Sequence, residues 1–133
     1  MRRALRSASI ETMSHDPNCL FCKIAAGEVP STKVHEDDEF VAFRDIRPAA
    51  ETHVLVIPRK HIETLSNCTE GDAALLGKML ILVARLAEQL GVAYKGGQTG
   101  FRTVINTGPG GGQEVYHLHA HLLAGPRPWL RMG

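Results

Sequence analysis

Residues 117–123 read His-Leu-His-Ala-His-Leu-Leu, and this alternation constrains the local fold more than any other stretch of the chain. Side chains alternate across a β-strand, so His117, His119 and His121 would share one face, with neighbours about 6.6 Å apart along the strand. Leu118, Ala120 and Leu122 would then face a core. On a helix the same spacing would scatter the rings over more than half the circumference. Three aligned imidazoles can bind a metal. They can also do acid–base or nucleophilic work near neutral pH, or form a neutral surface feature. Just upstream lies Gly110-Gly111-Gly112, which is either a plain flexible hairpin or a nest of backbone N–H groups for an anion. Beside the imidazoles, a phosphate accounts for both features at once. A neutral imidazole can attack phosphorus, and a neighbouring one can hydrogen-bond the developing charge.

Apolar residues make up 44% of the 133 positions and charged residues 22%, which suits one globular domain and excludes a disordered chain. A net charge of +1 lacks the strongly basic footprint of a nucleic-acid binder, so no nucleic-acid partner is expected. The longest apolar stretch, around Met79–Ala84, is far short of a membrane span, so no membrane partner is expected either. Three cysteines, an odd number, argue against a disulfide-stapled secreted domain and for the cytoplasm. Cys19-Leu20-Phe21-Cys22 is a CxxC, open to three readings: a metal pair, a redox pair or two buried thiols. Cys68 reads as an ordinary thiol.

Residues 1–17 read as a flexible tail and 18–133 as a single domain. The first nine residues carry Arg2, Arg3 and Arg6 without an apolar run. They fit a frayed tail, a short transit peptide, or an extension upstream of a natural start at Met13. Residues 19–26 predict a short helix. Residues 33–36, 40–43, 53–57, 101–107 and 115–124 predict strands, with Pro58 ending the third. Residues 70–90 predict the one long helix, opened by Thr69 and Asp72 and stopped by Gly91. Leu75, Leu76, Met79, Leu82, Val83, Leu86 and Leu90 form its apolar face. One long helix, short strands and no repeated βαβ rhythm predict an α+β fold: an antiparallel sheet of about five strands, one long helix and one short N-terminal helix.

The motif H-φ-H-φ-H-φ-φ, with φ apolar, is matched at every position of 117–123, together with FVAFRDIRPAAETHVLVIPRKHI (40–62) and NTGPGGGQEVYHLHAH (106–121). On these ordered segments, spanning about Cys19 to His121, the chain resembles the histidine triad (HIT) superfamily. Within it the chain is similar to the Hint branch, the purine nucleoside phosphoramidate hydrolases, in the bacterial type that carries a CxxC. His121 stands where the nucleotidyl-transferase branch typically has Gln. The Pro-Arg signature that usually follows the triad in diadenosine-polyphosphate hydrolases is missing at Leu123-Ala124-Gly125. The aprataxin-like branch carries extra nucleic-acid elements for which this chain has no room.

The resemblance implies that His119 is the nucleophile of a nucleotidyl-histidine intermediate. It implies that His121 hydrogen-bonds the α-phosphate, that His53 belongs to the same constellation, and that His117 supports it. Asp45 would accept from ribose hydroxyls, with Ile46 beside it, and Phe21, Ile24, Phe43 and Leu55 would line a slot for the base. Asn106, Gly112, Gln113 and Val115 would surround the phosphate. Glu114 departs from the Ser often found there, and its backbone N–H could still contact the ligand. Gly125-Pro126-Arg127-Pro128-Trp129 matches the family's tail poorly, leaving the leaving amine undefined. A structural zinc is implied on Cys19, Cys22, His61 and His117, with no cofactor required for catalysis. A homodimer acting on AMP- or GMP-type phosphoramidates is the implied assembly and substrate. The alternatives are a dinucleoside polyphosphate hydrolase, a nucleotide-binding adaptor with little turnover, and a zinc protein whose histidines serve metal.

Overall fold

The structure, a computed structural model, describes residues 15–126. The possible start at Met13 and the C-terminal segment with Arg127, Pro128 and Trp129 lie outside the described residues. The elements run α1 (Leu20–Ala25), β1 (Lys33–Glu36), β2 (Phe40–Arg44), β3 (Thr52–Pro58), α2 (Ala73–Gln89), β4 (Arg102–Val104) and β5 (Ala120–Ala124), with short 3-10 turns between. The strands form one antiparallel sheet in the order β1-β2-β3-β5-β4, the expected α+β architecture.

β3 is central and covered on both faces, which explains its unbroken apolar run. Val54 and Val56 join Ala42, Ala120 and Leu122 beneath α2, whose Met79, Val83 and Leu86 close that side. Leu55 and Ile57 point the other way, joining Val41 and Phe43 beneath α1, where Phe21, Cys22 and Ile24 cover them. Leu75, Leu76, Leu82 and Leu90 pack at the margin of the α2 side, so the whole predicted apolar face is used.

The long helix is entered through a 3-10 turn, Glu70–Asp72, where Asp72 Oδ2 accepts from Thr69 N–H at 2.9 Å and Thr69 Oγ1 accepts from Gly71 N–H. At the far end Gly91 takes φ +76°, and its N–H and that of Val92 bond back to Glu88 O and Ala87 O. This is a Schellman close that a left-handed residue permits.

Two strands are shorter than their sequence patterns predict. The first is β4, confined to Arg102–Val104. The second is β5, which begins at Ala120 rather than Val115. Its ladder on β3 stops because Pro58 has no N–H to donate and Leu118 N–H turns to Ile62 O at 2.6 Å. His117 and His119 therefore precede the regular strand, yet Leu118, Ala120 and Leu122 still sit in the core.

Gly125, directly after β5, has φ +133°, and a Cβ there would lie 2.6 Å from Glu51 Cβ. Gly125→Ala is expected to cost about 2–4 kcal/mol in urea unfolding, from combined backbone strain and clash. A loss below about 0.5 kcal/mol would mean the turn relaxes freely.

Candidate active site

The alternating segment carries its histidines along the α1 side of the sheet, and the row divides into two clusters. His117 turns to Cys19, Cys22 and His61. His119 and His121 turn to each other and to His53, which β3 supplies from next door. Phe21 stands between the clusters, its ring centroid 6.0 Å from that of His117 and 5.1 Å from that of His119.

Backbone groups settle the tautomers. His119 Nδ1–H donates to His117 O at 2.7 Å, leaving Nε2 as a bare lone pair. His53 Nδ1 accepts from Ala49 N–H at 3.0 Å, so its proton is on Nε2 and donates to His121 Nδ1 at 2.9 Å. His121 must then carry its proton on Nε2, and that atom is buried with no hydrogen-bond partner among the described residues. An unmade buried hydrogen bond costs about 1–3 kcal/mol, so this donor is poised for a ligand oxygen. His53 and His121 each accept at Nδ1 and so must be neutral, and the surroundings favour the neutral form of all three rings. Burial, then the neighbouring His119 and His53, pull His121 down to about 4, against the opposing pull of Asp45. Burial also lowers His53 and His119, with Asp45 opposing in both.

Asp45 Oδ2 lies 3.5 Å from His53 Nε2, and Asp45, His53 and His121 offer atoms within 4.8 Å of one another. The tautomers oppose a metal there: with Nδ1 occupied by Ala49 N–H, His53 Nε2 holds a proton instead of a lone pair.

Of the remaining expected substrate residues, Phe21, Ile24, Phe43 and Leu55 are brought together as one buried cluster, with Val115 packed against it. Each is at most 6% exposed, so they form a packed wall beneath the histidines. Ile46 is 91% exposed, and Asp45 Oδ1 is engaged by Arg47 N–H at 2.8 Å. Asn106 is half-buried in the segment leading to the glycine loop. In the glycine run expected to form a nest, two of the three amides, those of Gly111 and Gly112, are turned inward. Gly111, Gly112 and Gln113 N–H close on Gly108 O and Pro109 O within a 3-10 turn. Those donors are already satisfied, and the N–H groups of Glu114 and Val115 take no part in that turn. Gln113 is a buried strut: Oε1 accepts from Gly108 N–H, and Nε2 donates to Glu63 O and Val115 O. A cleft of about 340 Å³ opens beside Cys19 and His61, between Asp16, Glu63, Glu114 and Tyr116, and none of His53, His119 or His121 lines it.

The other cluster, Cys19, Cys22, His61 and His117, has a donor set that could hold a metal ion as a clip between α1 and the segment before β5. His117 Nε2–H donates to Pro58 O at 2.7 Å, which turns a bare Nδ1 toward Cys19 Sγ (3.3 Å), Cys22 Sγ (3.5 Å) and His61 Nδ1 (3.2 Å). A tetrahedral zinc with two sulfur and two nitrogen ligands sets its donors about 3.3–3.8 Å apart, so the set fits. Burial, with repulsion from Cys19 adding to it, pushes the Cys22 thiol up to about 12. Cys22 is only 1% exposed. Such a thiol keeps its proton at neutral pH, so Cys22 by itself is a poor thiolate nucleophile. A cation reverses that cost by taking the thiolates.

Sequence reasoning found the side chains of both clusters but missed the groups that aim them: Ala49 N–H, Pro58 O and the His117 carbonyl. Backbone groups leave no residue signature. Gln113 was noticed only as a phosphate neighbour, and its role as a strut depends on contacts fifty residues away.

Comparisons with known proteins converge. The HIT domain model matches residues 26–127. A HIT family hydrolase from Legionella pneumophila Philadelphia 1 is 52% identical, with TM-score 0.78, covering 83% of this chain and 95% of that one. The purine nucleoside phosphoramidase of Escherichia coli K12 is 45% identical over 106 residues, 80% of this chain and 86% of that one. A zinc-bound histidine triad family protein from Mycobacterium smegmatis is 31% identical, with TM-score 0.66, covering 80% and 74%.

Proposed function

Because the chain belongs to the HIT domain family, we propose that it hydrolyses the P–N bond of purine nucleoside 5′-phosphoramidates through a nucleotidyl-His119 intermediate. The observation that carries this reading is the bare Nε2 of His119 beside the buried, unpartnered Nε2–H of His121. With the substrate's P–N nitrogen protonated from solvent, Nε2 attacks the α-phosphorus, an N–P bond to His119 forms, and the P–N bond to the leaving group breaks as the neutral amine departs with the bonding electron pair. The ring becomes cationic, and its Nδ1–H tightens on His117 O while the Asp45 carboxylate offsets the charge. His121 Nε2–H holds a phosphoryl oxygen, and His53 keeps that proton on the correct nitrogen. Water then attacks phosphorus and loses a proton to solvent, the Nε2–P bond breaks with its electron pair returning to His119, and the nucleoside monophosphate is released. Asp45 meets the ribose, Ile46 and the apolar wall meet the purine, and the amides after the glycine turn meet the phosphate.

Zinc on Cys19, Cys22, His61 and His117 is structural in this scheme, tying α1 to the segment before β5, and no chemical step passes through it. The buried reduced thiols suit the cytoplasm, and among the described residues no helix is long and apolar enough to cross a membrane. A homodimer is supported by Leu80 and Ile81, 50% and 56% exposed on α2, and by the position of β4 as the last strand of the sheet among the described residues. Sedimentation checks it.

The direct test is AMP release from adenosine 5′-phosphoramidate. Turnover with free amine and AMP as products supports the reading. A folded chain that binds AMP yet leaves the phosphoramidate intact overturns it. Cleavage of a dinucleoside polyphosphate would then point to anhydride hydrolysis, and binding alone to an adaptor.

The acid limb of the rate profile follows from His121, which faces His119, His53 and Asp45. Its lowered value keeps it neutral well below the ordinary 6.5. Protonation would set its Nδ1–H against the His53 donor. The nucleophile His119 and its neighbour His53 must stay neutral too, and burial lowers both, so turnover is expected to stay level as pH falls through 6.5 and to decline only below it. A half-maximal rate near 6.5 would show that the ring titrates as if exposed.

A further inference from the structure

Phe21 is the middle of the CxxC and touches both clusters. Its ring meets the His119 ring edge-on, at 5.1 Å and 86°, and lies 5.4 Å from Phe43 at 75°. Cys19 and Cys22 flank it, one as N-cap of α1 and the other in its first turn. The far end of α1 is secured separately, since Arg59 Nη1 donates to Ala25 O at 2.8 Å. The end that bears Phe21 is held by packing against Phe43 and by the two sulfurs, which meet His61 and His117. His117 also holds the His119 Nδ1 proton through its carbonyl.

We propose that Phe21 is a positioning residue for His119, and that metal in the Cys19–Cys22–His61–His117 clip holds it there, so that metal occupancy governs the attack on phosphorus. This rests on the reading of His119 as nucleophile. The clip reaches the nucleophile along two physical paths, the Phe21 ring and the His117 carbonyl, both ending on the same imidazole. A loosened first turn of α1 lets the ring of His119 pivot about its Nδ1 hydrogen bond and sweeps Nε2 off line. Small displacements of a nucleophile are costly to rate, with about 1 Å able to cost two orders of magnitude.

The test uses the full chain, zinc-loaded and chelator-stripped, as native protein and as Phe21→Leu, which retains apolar bulk where Phe21→Ala would open a cavity. Two readouts are taken: the single-turnover rate of amine release from adenosine 5′-phosphoramidate, and the NMR signal of the His119 Nδ1–H proton in free protein. Stripping the native chain is expected to slow amine release about tenfold and to shift or broaden that proton. Phe21→Leu with zinc bound should do the same. Stripping Phe21→Leu should add little, because both changes remove one restraint. An unchanged Nδ1–H signal and rate in Phe21→Leu, with only KM raised, would reduce Phe21 to a wall of the base slot and overturn the proposal. So would an equal loss on stripping in both backgrounds. If the native zinc-loaded chain has no turnover, the hydrolase reading fails, and the Nδ1–H signal still decides whether clip and ring restrain His119.

Discussion

His119→Ala is expected to lower AMP release from adenosine 5′-phosphoramidate by at least about 10⁴-fold while leaving a folded chain. The size follows from what is removed. Without Nε2 there is no covalent intermediate, and water must displace the amine directly with only the binding contacts and the His121 donor to help. Stability should change far less. The side chain is 6% exposed and its one hydrogen bond is to a carbonyl, so a loss of about 1–2 kcal/mol is expected. His121→Ala should be milder, about 10²–10³-fold, since it removes one donor to the transition state and leaves the nucleophile. Rapid-quench trapping checks the order: radiolabelled nucleotide should remain on the native chain and on His121→Ala, and be missing from His119→Ala. A His119→Ala chain that turns over within tenfold of native would place the nucleophile elsewhere.

Loss of the metal should be the largest effect on stability. As purified, the chain is expected to hold one zinc, and Cys22→Ser to hold none. Stripping the native chain should lower its melting temperature by about 10–20 °C, the equivalent of about 3–5 kcal/mol for a domain of this size. The fold should survive, because the α2 side of the sheet carries its own core, of which none of the four clip residues is a member. That separates this chain from small zinc domains, which unfold outright without metal. Cys22→Ser and native protein melting together, with and without zinc, would mean that Cys19 and Cys22 are two buried thiols.

Much of the architecture is legible because its cause is local. The run from His53 to Ile57 marks a strand covered on both faces, and the Leu/Met spacing from 75 to 90 marks α2. Thr69, Asp72 and Gly91 mark its ends through caps that involve only nearby residues. The strand at 115–124 is overextended in sequence reading because alternation continues where the ladder does not. Residues 117–119 alternate, but their strand partner would be the segment at Pro58, whose missing N–H is visible only once β3 and β5 are paired.

By itself the sequence determined which residues the two clusters are built from and which family the chain belongs to: three alternate histidines, a CxxC, and the ordered segments that mark the family. Side-chain types and periodicities are written residue by residue, and a period of two needs no knowledge of the rest of the fold. Only the tertiary structure decided what each imidazole does. Pro58 O turns the Nδ1 of His117 to the clip, the His117 carbonyl frees the Nε2 of His119, and Ala49 N–H places the proton that His53 presents to His121. The residues and their order are the same for every tautomer. A proton's place on a ring is set by the one backbone group within about 3 Å of it, and that neighbour exists only after the chain has folded.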